Sequence, residues 1–167
     1  MRNQKIIYLS QAAVIAALYV VLTFIAALMG LASGAIQVRL SEALCVLPCF
    51  TAAAVPGLFV GCIVANLLTG CALWDVVFGS IATLIGAVLC RMLRRYRLPA
   101  LIPNILSNTI IVPLVLMNVY GVPETFWYLA LTVGIGEIIS CGILGWFLGR
   151  ILEPHRDRLF GKSDAEQ

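Results

Sequence analysis

The side chains best suited to chemistry in this sequence are charged groups set in long apolar stretches. Between residues 6 and 90 only three side chains are charged, and they are Arg39, Glu42 and Asp75. A charge at the centre of a membrane helix costs about 2.5–3.5 kcal/mol on insertion scales, so each one is a functional candidate. Glu137 is the fourth candidate, because a carboxyl group in such surroundings needs a proton, a partner or a ligand.

Two asparagines are further candidates, because they are expected at the same depth in the membrane as one of the charged residues. Asn108 lies nine residues after Pro99, which places it about 13 Å along a helix that rises 1.5 Å per residue. Asn66 and Glu137 lie at similar distances from the ends of their own predicted helices. The three side chains are therefore expected at one middle depth. Asn104 shares a helix face with Asn108 and is equally well explained as a hydrogen-bonding contact between helices.

Carboxylates, carboxamides and aromatic rings together suit a planar nitrogenous ligand. A carboxylate accepts from two adjacent N–H donors, which matches a guanine-like edge or an ammonium group. Trp74 is the aromatic side chain we expect to stack on such a ring, with Tyr120, Phe78 and Trp127 near it. The competing interpretation is an aromatic belt at the membrane interface.

The elements that position these residues are predicted to be membrane helices. Hydrophobic residues make up 62% and charged residues 11% of the chain, whereas soluble domains average about 25% charged residues. The sequence predicts an all-α integral membrane protein, a bundle of six transmembrane helices in a single membrane domain, residues 1–152. The helices are predicted at residues 6–30, 42–54, 56–69, 76–93, 99–118 and 125–152. Pro48 and the shortness of the second segment predict a helix that is kinked or does not fully span.

Basic residues cluster at three places and orient the bundle. They lie at the start of the chain, between residues 91 and 97, and from residue 150 onwards. By the positive-inside rule these segments are cytoplasmic, so we expect both termini inside and residues 153–167 to form a polar cytoplasmic tail. The clusters are short and flank apolar runs, which argues against nucleic-acid binding. With one histidine and no C-x-x-C pair, we expect neither a metal site nor a cofactor.

Small residues recur every four positions along the first helix. Ala12, Ala13, Ala16 and Ala17 form two overlapping pairs that would let another helix approach closely. The partner is either another helix of this bundle or another membrane protein, and the spacing alone leaves both open.

Four separated motifs resemble one family of membrane proteins. They are residues 37–48, 56–68, 74–84 and 134–137, and together they are similar to the QueT family. These proteins are S-components, the substrate-binding subunits of energy-coupling-factor (ECF) transporters, and the family is assigned to uptake of queuosine precursors. The family's motif positions are occupied here by Arg39, Glu42, Asn66, Asp75, Asn108 and Glu137.

The resemblance implies a function and a set of partners. It implies a six-helix, non-enzymatic subunit in the plasma membrane of a prokaryote that captures a 7-deazaguanine or queuine-like base from outside. One ECF transmembrane coupling subunit and two ATPase subunits would drive uptake, with the alanine stripe docking on the coupling subunit. The loop 31–41 would act as a lid. The alternatives are an S-component for another vitamin-like substrate and a self-sufficient proton-coupled permease.

Overall fold

A computed structural model describes residues 2–31 and 36–161. Residues 32–35 of the expected lid and residues 162–167 of the expected tail lie outside this described part. Every regular element in the described ranges is a helix, and no strand occurs there. Helix α1 is Arg2–Leu28, a 3₁₀ helix covers Leu40–Cys49, α2 is Ala54–Leu68, α3 is Leu73–Met92 and α4 is Arg97–Asn118. Helix α5 is Phe126–Glu137, a π-helical segment covers Ile138–Leu144, α6 is Gly145–Leu152, a short 3₁₀ turn covers Glu153–His155 and α7 is Arg156–Phe160.

Four of the helical stretches are long and apolar enough to cross a membrane. They are Gln4–Leu28, Leu73–Met92, Leu98–Asn118 and Phe126–Phe160. Leu40–Cys49 and Ala54–Leu68 are shorter apolar helices. The prediction of an all-helical membrane protein is confirmed, whereas six complete spans are not established by length.

The second segment is a 3₁₀ helix with Pro48 inside it. Ten residues in this conformation extend about 20 Å, less than the roughly 30 Å hydrocarbon core. It is nonetheless mostly buried, with Cys45 fully enclosed by its neighbours. This short element therefore runs through the interior of the bundle, and its first turn places Glu42 in the core, three residues after the extended Arg39.

Helices α1 and α2 meet through small residues. A Cβ added to Gly57 would lie 2.8 Å from the Ala12 carbonyl oxygen, and one added to Gly61 would lie 3.0 Å from Ala16 Cα. The backbones can approach this closely because the two glycines have no side chain, which also leaves room for the Cβ atoms of Ile15 and Tyr19 at the crossing. Half of the alanine stripe is thus used inside the bundle.

Helices α3 and α4 meet at a second small residue. A Cβ on Gly86 would lie 2.7 Å from Asn104 Cα, so the α4 backbone occupies the space that any other side chain would need. Asn104 itself is fully buried. This contact directs the Asn104 carboxamide towards the 3₁₀ helix.

The first part of the expected polar tail, residues 153–160, is helical. Helix continues to Phe160, whose ring packs against Phe50 with 5.6 Å between ring centroids. Gln11 Nε2 donates to the Leu159 carbonyl oxygen at 3.3 Å. Apolar side chains within the expected tail account for the difference, since they cover the end of the core.

Candidate functional site

A polar cavity of about 350 Å³ opens among the ends of four elements. Its walls come from the last turns of α1, α2 and α4, the first turn of α3 and the segment before the 3₁₀ helix. The lining residues are Thr23, Ala26, Ala27, Gln37, Arg39, Asn66, Thr69, Cys71, Asp75, Val112, Leu116 and Tyr120. We call it the outer cavity, because these ends lie opposite the bundle end that carries Lys5, Arg91 and Arg150. Small-molecule sites typically have volumes of about 300–1,000 Å³.

Asn66 and Asp75 form one wall of the outer cavity. They sit on neighbouring helices and flank Gly79, because a Cβ built there would lie 3.3 Å from Asn66 Nδ2 and 3.7 Å from Asp75 Oδ1. Both side chains are more than nine-tenths buried. Glycine at this position leaves room for a carboxamide donor and a carboxylate acceptor side by side.

Tyr120 supplies the aromatic part of the cavity. Its hydroxyl donates to Asp75 Oδ2 at 3.4 Å and accepts from the Ala72 backbone N–H at 3.0 Å. Burial raises the pKa of the Tyr120 phenol, the Ala72 N–H lowers it, and the Asp75 carboxylate raises it further, with a net increase. The phenol therefore stays protonated at neutral pH and keeps Asp75 oriented.

Arg39 carries the positive charge of the cavity. The chain is extended here and leads into the 3₁₀ helix, so the side chain enters from the loop rather than from a helix face. Its charge acts on Asp75 and Glu42. The outer cavity therefore combines a cation, a carboxylate and a carboxamide with both neutral polar and apolar side chains.

Glu42 lies behind the cavity, in a closed hydrogen-bonded cluster. Tyr19 Oη donates to Glu42 Oε1, and Glu42 Oε2 accepts from Asn104 Nδ2 at 3.0 Å and from Cys45 Sγ at 3.0 Å. The carboxylate is 1% exposed and does not line the outer cavity. Three donors compensate its charge, so its role here is to join the 3₁₀ helix to α1 and α4.

Glu137 and Asn108 lie together beneath the outer cavity. Glu137 ends α5 immediately before the π-helical segment, a type of irregularity often found at functional sites. It borders a crevice of about 10 Å³ that shares Gln37 and Arg39 with the outer cavity. The Asn108 side chain lies next to that of Glu137. Two polar atoms of this pair, Asn108 Nδ2 and Glu137 Oε2, have no hydrogen-bond partner among the described residues.

The predicted aromatic residue Trp74 points elsewhere. It is 59% exposed and stacks on Phe78, with 6.0 Å between ring centroids, and Trp127 is also exposed. Their positions fit the alternative interpretation of an interfacial belt. Sequence reasoning missed Tyr19, because a tyrosine in the middle of an apolar helix carries no pattern that sets it apart from its neighbours.

The alanine stripe divides into two faces. Ala12 and Ala16 pack against α2, as described above, whereas Ala13 and Ala17 are exposed. Two small residues, one turn apart, are thus left uncovered on the outside of the bundle.

Long apolar helices around a ligand-sized polar cavity are typical of helical membrane proteins that bind small molecules. The sequence model of the QueT transporter family matches residues 9–154. The chain therefore belongs to the QueT transporter family and is a membrane transport protein of the S-component type. No curated protein and no solved structure matches it.

Proposed function

We propose that this chain is the substrate-binding subunit of an ECF importer and captures a queuosine precursor, a 7-deazaguanine or queuine-like base, in the outer cavity. The observation that carries the proposal is the placement of Arg39, Asn66 and Asp75 around one cavity of about 350 Å³. Donor and acceptor groups on an apolar wall are what a planar base with both kinds of edge requires.

The charge pattern supports capture from outside. The bundle end opposite the cavity carries the basic residues, which by the positive-inside rule face the cytoplasm. With six membrane segments both termini fall on that side, in the plasma membrane of a prokaryote. The cavity then faces the exterior, where a scarce precursor is collected.

The base would bind with its donor edge towards Asp75 and its carbonyl towards Arg39 or Asn66. Tyr120 would cover one face of the ring while its hydroxyl holds the Asp75 carboxylate in place. Glu137 and Asn108 would form the floor. Glu42 contributes indirectly, because it anchors the segment that carries Arg39, and Trp74 takes no part in the contact.

Transport would be driven by partner subunits. A transmembrane coupling subunit would dock on the face of α1 that carries Ala13 and Ala17, and two ATPase subunits would supply the energy to expose the cavity inwards. The docking proposal predicts that Ala13→Leu and Ala17→Leu abolish co-purification with the coupling subunit but leave substrate affinity unchanged.

Ligand binding by the purified protein tests the function. Calorimetry in detergent should detect tight binding of at least one 7-deazaguanine or queuine, and weak or no binding of guanine, riboflavin and thiamine. Asp75→Asn should weaken that binding by about tenfold or more, because a hydrogen bond to a charged group contributes about 1.5–3 kcal/mol. Asp157→Asn, which removes an exposed carboxylate on α7, is the matched control and should bind as the wild type does.

Other results would select the alternatives. Tight binding of riboflavin or thiamine would identify an S-component for another vitamin. Substrate uptake by vesicles that contain this chain but no ATPase would identify a self-sufficient permease.

A further inference from the structure

The carboxylates around the outer cavity differ in how their charges are compensated. Glu42 accepts three hydrogen bonds, and Asp75 accepts one from Tyr120 and lies in the field of Arg39. Glu137 is 6% exposed, and its Oε2 has no partner among the described residues. A buried carboxylate oxygen without a donor is costly, so this atom is placed to receive one from a ligand.

The charge count points to a cationic donor. The charged side chains that face this region come from the segment before the 3₁₀ helix, the 3₁₀ helix itself, α3 and α5. Among the described residues they are one guanidinium, Arg39, and three carboxyl groups, Glu42, Asp75 and Glu137. When all three carboxyl groups are ionised, the excess of negative charge in a poorly solvated interior is unfavourable, and a ligand that brings one positive charge reduces it.

The size of the crevice limits what can reach Glu137. Its volume of about 10 Å³ is close to the roughly 10–15 Å³ that accommodates one water molecule. A ring edge does not fit there, whereas a single amino group does. Because the crevice and the outer cavity share Gln37 and Arg39, a ring in the cavity can direct a short substituent into the crevice.

We propose that the Glu137 crevice is a subsite for a protonated amine carried on a one-carbon arm by the substrate's ring. This inference rests on the proposed function and specifies which precursors the site takes. A 7-aminomethyl-7-deazaguanine donates to Glu137 Oε2, with the Asn108 carboxamide beside it. A 7-cyano-7-deazaguanine is disfavoured, because its nitrile nitrogen is a hydrogen-bond acceptor and would face Glu137 Oε2, which is also an acceptor.

Relative affinities test the subsite separately from the function. The wild-type protein should bind the aminomethyl compound about 30-fold or more tightly than the nitrile, since leaving one partner of a buried charge pair unpaired costs at least about 2 kcal/mol. In Glu137→Gln the ratio should fall to within about threefold, mainly through weaker binding of the amine. Glu124→Gln, the same change at an exposed residue of the loop before α5, should keep the wild-type ratio.

A second comparison needs no variant and covers the case in which Glu137→Gln does not fold. The wild-type protein should bind 7-hydroxymethyl-7-deazaguanine, which is similar in size but uncharged, about 30-fold or more weakly than the amine. Equal wild-type affinities for the amine and its neutral analogues would overturn the proposed subsite. It would also be overturned if Glu137→Gln lowered the affinities for the amine and the nitrile by the same factor. Failure of every deazaguanine and queuine to bind would instead reject the proposed function.

Discussion

The hydrogen-bonded cluster around Glu42 joins the 3₁₀ helix to the rest of the bundle, and the contribution of its Tyr19–Glu42 bond to stability can be tested. Tyr19→Phe removes one hydroxyl and leaves the ring in place. Tyr19 is 2% exposed and Glu42 is 1% exposed, so no water replaces the lost donor. Glu42 Oε1 then loses its bond from α1, while Oε2 keeps the donors from Asn104 and Cys45.

Two magnitudes bound the expected loss of stability. A hydrogen bond to a charged group contributes about 1.5–3 kcal/mol in proteins generally. Hydrogen bonds between membrane helices average only about 0.6 kcal/mol, with a maximum near 1.7, because polar groups also find partners in the unfolded state within the membrane. The bond here is charge-assisted and buried, which places it at the upper end of the membrane range. We expect Tyr19→Phe to lower the free energy of unfolding by about 1–2 kcal/mol.

Equilibrium unfolding in mixed detergent–SDS micelles measures this loss. Tyr8→Phe is the matched control, because the Tyr8 hydroxyl makes a longer bond of 3.4 Å to the Ala52 carbonyl oxygen and is exposed; it should change stability by less than about 0.5 kcal/mol. In a Glu42→Gln background the effect of Tyr19→Phe should shrink by about half, since charge-assisted bonds are roughly twice as strong as neutral ones. Equal effects of Tyr19→Phe and Tyr8→Phe would refute the assigned role of the cluster.

Three further predictions concern packing and pH. Gly86→Ala should destabilise the fold by about 1–3 kcal/mol, because its Cβ would overlap the α4 backbone and overpacking has this cost; Gly142→Ala, with no neighbour closer than 3.7 Å, is the control in the same unfolding assay. Ala16→Leu should destabilise the α1–α2 contact by a similar amount, about 1–3 kcal/mol, whereas the exposed Ala17→Leu should unfold as the wild type does. The raised pKa of Tyr120 adds stability that is fully present below about pH 10, the pKa of an unfolded-state tyrosine, and is lost as pH rises through the higher folded-state pKa. Subtracting the pH–stability curve of Tyr120→Phe from that of the wild type should isolate this loss, and a difference that stays flat through the alkaline range would contradict it.

The sequence alone determined the class of protein and the approximate positions of its helices. Apolar runs between prolines, glycines and basic clusters predicted where the segments lie, because the hydrocarbon thickness sets the length and the breakers set the ends. The second segment ends at Cys49 rather than at residue 54, and the last helical stretch continues to Phe160 rather than to residue 152. It also singled out several polar residues that the structure places near one another. Arg39, Asn66, Asp75 and Glu137 all border the outer cavity or its crevice.

The local backbone geometry of several segments could not be predicted from the sequence. The 3₁₀ form of the second segment, the π-helical segment after Glu137 and the helix that ends at Phe160 each depend on packing against a neighbour. Gly145 shows the effect, since a Cβ there would lie 3.3 Å from the Ala43 carbonyl oxygen. A small residue permits such a close approach, but the position of the neighbouring backbone decides whether the contact forms.

Only the tertiary structure decided which polar residues share a site. The rise per residue gives the depth of Glu42, Trp74 or Asp75 from sequence, but it leaves open the direction in which each side chain points around its helix axis. In a soluble protein the contrast between apolar and polar faces gives that direction. In a membrane both the core and the lipid are apolar, so the contrast is weak and close contacts between helices fix the rotation instead. Those contacts turned Glu42 into the core, Trp74 towards the lipid and Asp75 into the outer cavity.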